Sequence, residues 1–167
     1  MLRRLMASFV LLCLSAALAA ETPNAAAIAS AHPLATEAGF EVLDAGGNAF
    51  DAAVAVTAAL GVVEPYSSGL GGGGFWLLHR ASDGRQVMLD GRERAPGAAT
   101  RDMYVDPAGE VTRDSLDGPL SAGIPGVPAA MAHLAENYGR LPLARSLAPA
   151  VRLAREGFEV TPHYRRM

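Results

Sequence analysis

Between Asn48 and Gly61 the chain reads AFDAAVAVTAAL, a helix-forming segment that is apolar on nearly every side. A helix of this kind has no face to give to water, so it must lie inside a fold. Its surface is mostly alanine and valine, so neighbouring elements must come close. The composition fits that picture. Half of the 167 residues are hydrophobic (50%) but only 6% are aromatic, which calls for a core of small side chains.

The residues before this segment set up its start. Asn48 stands as a cap with Asp51 three positions on, a capping-box pattern. Ahead of it, PLATEAGFEVLD has helical spacing from Pro33, a residue suited to a first helical turn, to the stop at Gly46-Gly47. Residues 25–33 read as a short buried strand. The buried helix is expected over residues 49–60, ending at Gly61.

Downstream, FWLLHR and RQVMLD read as two strands joined by a turn at Asp83-Gly84. A polar loop follows, turning at Pro96, and a turn-rich stretch runs to the prolines at 125 and 128. A helix is expected from about Pro128 to Gly139. Another helical stretch follows, broken or restarted at Pro149 and stopped by Gly157. There is no repeat and no domain boundary.

The first residues are a separate object. Arg3 and Arg4 precede an apolar run over residues 5–18 and the small-residue site Ala17-Leu18-Ala19, the pattern of a secretory signal peptide over residues 1–19. The run is short of the ~20 residues that a membrane span needs. Residues 20–167 are then the exported part, periplasmic or secreted, with no membrane association once the leader is removed. The lone cysteine, Cys13, lies in the leader, so no disulfide is expected. With 14 basic and 17 acidic residues and no basic tract, nucleic-acid binding is excluded.

The run GLGGGG at 69–74 fits G-x-G-x-x-G by its letters. A dinucleotide loop needs a strand before it and a helix after it. Here a strand follows, so no helix N-terminus is at hand to receive a phosphate. Two readings remain: backbone packed tightly against a neighbour, or backbone N–H groups that approach a substrate or an oxyanion.

The combination GGNAFDAAVAVTAALGVVEPYSSGLGGGGFWLL, then LDGRERAP, then IPGVPAAMAHLAENYGRLPLARSLAPAVRLAREGFEV resembles the gamma-glutamyltransferases, also called glutathione hydrolases. The resemblance runs from about His32 to Val160. It implies an α+β fold, part of a four-layer αββα sandwich of the N-terminal-nucleophile hydrolase type. It further implies a precursor that cuts itself into a large and a small subunit. The small subunit's N-terminal threonine would attack the gamma-glutamyl amide of glutathione or a related compound, with no metal or organic cofactor. The substrate and the small subunit of the same precursor are the implied partners.

Within DGRE, Arg92 matches the family arginine that holds the glutamyl α-carboxylate. A guanidinium can grip a carboxylate through two parallel hydrogen bonds, a fork that lysine lacks. Glu93 is open to two readings, orienting Arg92 or facing solvent, and Arg94 reads as solvated. Ser67 and Ser68 flank the glycine run as substrate donors or as turn residues. His32 reads as structural, while His79, His133 and His163 lack metal-ligand spacing. Thr161 imitates a nucleophile in TPHY but comes too early, so no catalytic residue is expected in these 167. The resemblance thus reads the chain as an incomplete domain, the front of a large subunit. The alternative is a non-catalytic product or a weak amino-acid-binding module.

Overall fold

A computed structural model describes residues 25–167. The expected export leader at residues 1–19 lies outside the described residues. Five helices and one hairpin follow in the order α1 (Pro33–Asp44), α2 (Ala49–Val63), β1 (Gly74–Arg80), β2 (Arg85–Gly91), α3 (Val127–Asn137), α4 (Leu143–Glu156) and α5 (Pro162–Arg166). Two single 3-10 turns, Arg113–Ser115 and Pro119–Ser121, punctuate the long connection between β2 and α3. No described helix is long and apolar enough to cross a membrane.

Helix α2 is the centre, as its apolar surface demands. After Ala49 none of its residues is exposed. Asp51, Ala52, Val54, Ala55, Ala58, Ala59 and Val63 are fully buried. It packs chiefly against α1, which buries Ala35, Ala38, Gly39 and Val42, and against α4. Small residues allow this closeness: a β-carbon at Gly39 would stand 2.7 Å from Ile28 Cδ1 and 2.8 Å from Val56 Cγ2. The core continues into Leu78 of β1, Val127, Met131 and Leu134 of α3, and Ala150 of α4.

Asn48 caps α2 through Oδ1, which accepts from the N–H groups of Phe50 and Asp51. Asp51 Oδ2 returns the contact to the Asn48 N–H at 2.9 Å, completing the box. His32 caps α1 in the structural role expected of it, its Nδ1 accepting from Leu34 N–H.

The strands pair antiparallel, with Trp76 opposite Leu89 and Leu78 opposite Val87 on the inner face. Phe75, Leu77 and Met88 lie on the outer face and are exposed. The turn is the expected one: Gly84 has φ +68°, and Asp83 holds both the Arg80 guanidinium and the Arg85 N–H.

Three expectations need correction. Residues 25–33 form no strand and are mostly exposed. A strand needs a hydrogen-bonding neighbour, and among the described residues β1 and β2 pair only with each other. Helix α2 runs through Gly61 to Val63, since Gly61 keeps a helical backbone with no positive φ and the helix is buried along its length. Gly61 is therefore an interior helix position and not the stop. Helix α4 is continuous across Pro149, which is buried inside it. Proline removes one helical N–H and costs about 3 kcal/mol in a free helix, and burial of α4 against α2 holds the helix through it. The expected stop at Gly157 stands, with φ +80°.

Candidate functional site

The glycine run, the DGRE segment and the start of α3 meet at one end of the hairpin. Gly72 is the pivot. Its carbonyl accepts from Gly126 N–H at 3.1 Å and Val127 N–H at 3.2 Å, so the first amides of α3 are satisfied by main chain and not by a capping side chain. Gly73 is pressed onto DGRE: a β-carbon there would overlap the Glu93 carboxylate and lie 2.7 Å from Arg92 Cα. Gly126 is tighter still, since a β-carbon would fall on the Gly91 carbonyl. Tight packing therefore accounts for glycine at 73 and 126. None of residues 69–74 has positive φ, so turn conformation is not the reason.

Two clefts flank this junction. One, about 700 Å³, is lined by Thr57, Tyr66, Ser67, Ser68, the glycine run and Glu93. Partial burial, and then the Glu64 carboxylate beside it, push the Tyr66 hydroxyl above its ordinary range. The other, about 330 Å³, is lined by Asp90, Arg92, Arg94, Ile124, Ala130 and His133, among others. Consecutive residues of DGRER thus line different clefts, Glu93 the glycine side and Arg92 and Arg94 the other.

Arg92 is exposed and makes no ion pair among the described residues. Its guanidinium carbon sits 5.9 Å from the centre of the Phe75 ring, at the edge of cation–π range. Its backbone N–H donates to Asp90 Oδ1 at 3.0 Å, which fixes the turn out of β2 while leaving the side chain free. Of the two readings of Glu93, the solvent-facing one holds: the residue is exposed and makes no ion pair to Arg92, and its carboxylate edge lies beside Gly72 and Gly73. Sequence reasoning missed the glycine contact, because nothing in DGRE signals contact with a segment some twenty positions away.

The other candidates are dispersed. Ser67 and Ser68 follow α2, their N–H groups donating to Glu64 O, and both line the larger cleft. His79 is exposed on the outer strand face and His133 lines the smaller cleft. His163, on α5, meets the Tyr66 ring at 5.4 Å between centroids. Thr161 Oγ1 accepts from Tyr164 N–H at 3.1 Å, the contact of a helix cap. Among the described residues no group of three His, Cys, Asp or Glu is placed to hold a metal ion.

The fold is α+β, part of a sandwich of the N-terminal-nucleophile hydrolase type shared by gamma-glutamyltranspeptidases and acylases. Residues 35–167 match the family model described as gamma-glutamyltranspeptidase, and the chain belongs to that family. It is 45% identical over 134 residues to the glutathione hydrolase proenzyme of Escherichia coli, covering 80% of this chain and 23% of that protein. It is 44% identical over 140 residues to the acylase ACY 1 proenzyme of a Pseudomonas strain, covering 79% of this chain and 25% of that protein. The crystal structure of Helicobacter pylori gamma-glutamyltranspeptidase superposes with a TM-score of 0.82 at 42% identity, over 88% of this chain and 42% of that one. The chain thus spans about a quarter of the length of these curated relatives.

Proposed function

We propose that this chain is the front of the large subunit of an exported gamma-glutamyltransferase or glutathione hydrolase, periplasmic or secreted. The whole protein transfers the gamma-glutamyl group of glutathione, or of a related compound, to water or to an amino acid or peptide. Cleavage of the precursor supplies the nucleophile on a small subunit, and this chain contributes substrate binding. Arg92 grips the α-carboxylate of the glutamyl group.

The observation that carries this reading is the state of Arg92. An exposed guanidinium with no ion-pair partner among the described residues stands at the rim of a cleft, its backbone fixed by Asp90. Such a group is ready to pair with a carboxylate through two charge-assisted hydrogen bonds.

The test is Arg92→Lys and Arg92→Ala in the intact protein, assayed with a gamma-glutamyl anilide. Loss of the bidentate contact should raise KM strongly and lower kcat/KM by roughly a hundredfold, about 2.7 kcal/mol. An unchanged KM and kcat/KM would remove Arg92 from substrate binding.

The acylases among the relatives favour a second reading, hydrolysis of a different side-chain amide. Relative turnover of a gamma-glutamyl anilide and a cephalosporin amide separates the two.

A further inference from the structure

Helix α2 is apolar on nearly every side, yet one stripe of it, Ala53, Val56, Thr57 and Leu60, is only half-buried. Ala53, Val56 and Thr57 form the floor of a groove of about 740 Å³. One wall is residues 25–29 and the other is Trp76 of β1, the one hairpin residue on the lining.

The wall at residues 25–29 has the marks of a strand without its neighbour. Ala27 and Ala29 are exposed while Ile28 and Ser30 are half-buried, the period of a strand. The inward side chains are pinned to α1. Ile28 Cδ1 would stand 2.7 Å from a β-carbon at Gly39, and Ser30 Oγ lies 2.8 Å from Thr36 Oγ1. Yet no main-chain N–H or carbonyl of residues 25–31 has a hydrogen-bond partner among the described residues. A segment held by its side chains, with its main chain unpaired, offers an edge to another strand.

The groove also continues into the larger cleft, since Thr57 and Trp76 line both. Phe75 lines that cleft too, and the Arg92 guanidinium carbon sits 5.9 Å from the centre of its ring. Chain seated in the groove therefore leads toward Arg92.

We propose that this groove seats a strand of the small subunit, paired through its backbone with residues 25–29 and covering the half-buried stripe of α2. Its side chains toward α2 are small and apolar, because the floor is alanine, valine and threonine. Two observations favour the small subunit as the occupant. The chain spans about a quarter of the length of its curated relatives, so most of the polypeptide in such proteins lies outside these residues. The groove also leads to the cleft beside Arg92, where the group that attacks a gamma-glutamyl amide has to stand. The inference rests on the reading above, in which a self-cleaving precursor supplies that group on its small subunit.

The experiment uses the intact, processed protein. A single neighbouring strand takes every second N–H, so amide exchange should be slow at alternate residues between 26 and 30. Those amides should exchange roughly a hundredfold more slowly than the amides of the exposed connection at 97–123. Ala53→Phe puts a ring into the groove floor and should abolish co-elution of the two subunits in gel filtration. Ala53→Ser, which keeps the size, and Ala144→Phe, the same added bulk at an exposed position of α4, should leave them together. If the amides at 26–30 exchange as fast as those at 97–123, no strand is seated there and the inference fails while the precursor reading stands. If they are protected but Ala53→Phe leaves the subunits together, the occupant is another segment and the inference fails as well. If the intact protein is never cleaved into two chains, the precursor reading fails and this inference with it.

Discussion

Asp51 accepts the backbone N–H of Arg140 at 2.9 Å across 89 positions of sequence. The same carboxylate takes Leu141 N–H at 3.3 Å and Asn48 N–H at 2.9 Å, and it is fully buried. One side chain therefore closes the first turn of α2 and pins the link between α3 and α4 to it. Gly139 makes room: a β-carbon there would lie 2.5 Å from Asp51 Oδ1. Asn48 adds a second tie, its Nδ2 donating to Tyr138 O at 2.7 Å.

Replacing Asp51 with alanine leaves these part-buried N–H groups without their acceptor. We expect a loss of about 2–4 kcal/mol, above the usual cost of a helix cap alone. Chemical denaturation of the intact protein checks it. A loss below ~1 kcal/mol would reduce Asp51 to an ordinary cap.

Ser146 gives the opposite case. It is fully buried in α4, and its hydroxyl has no hydrogen-bond partner among the described residues. An unpaired buried hydroxyl is a cost that alanine removes. Ser146→Ala should be neutral or stabilising by up to about 1 kcal/mol, read as an unchanged or raised melting temperature. A clear destabilisation would mean that the hydroxyl has a partner in the intact protein.

Gly126→Ala tests the junction. The added methyl would overlap the Gly91 carbonyl, which is backbone and cannot swing aside. The cost should be about 1–3 kcal/mol, as for overpacked cores. Amide exchange should also speed at Gly126 and Val127, whose N–H groups bond Gly72. Unchanged exchange would show that α3 moves freely of the glycine run.

The hairpin turn should carry a pH signature. The Arg80 guanidinium, bonded through Nε and Nη2, holds the Asp83 carboxyl down from 3.8 to about 2. A carboxyl depressed in the fold adds stability above its unfolded value. That contribution fades as pH falls through 3.8 and is gone below about 2. The pair is exposed, so salt should screen it. Carbon-detected titration should place the Asp83 midpoint near 2 and return it toward 3.8 in Arg80→Gln. A normal midpoint in the unaltered protein would mean that the pair is not formed in solution.

Local signals were legible where local physics decides. Asn48 and Asp51 announced the start of α2, Pro33 that of α1, and Asp83-Gly84 the hairpin, because caps and turns are made by neighbours in sequence. Long-range contacts overruled such signals elsewhere. Gly61 and Pro149 look like helix ends, yet the burial of α2 and α4 against each other makes them interior positions. Residues 25–33 have a strand's composition, but among the described residues no strand stands beside them to complete the hydrogen bonds.

At the candidate site, Arg92 is singled out in the sequence by its motif. The split of DGRER between two clefts is not legible there, since it depends on elements distant in sequence. The second role of Asp51 was hidden for the same reason: its partners at 140 and 141 lie on another element.

The packing of α1 on α2 through alanine and glycine has a consequence for how such a protein changes over generations. Ala35, Ala38, Ala55 and Ala59 are already at minimal volume and fully enclosed. Almost every replacement there adds bulk, so those positions are closed to drift. The connection from 97 to 123 is exposed nearly throughout. Novelty in a lineage of such proteins would enter through that connection and at the cleft arginines, while the alanine seam stays fixed.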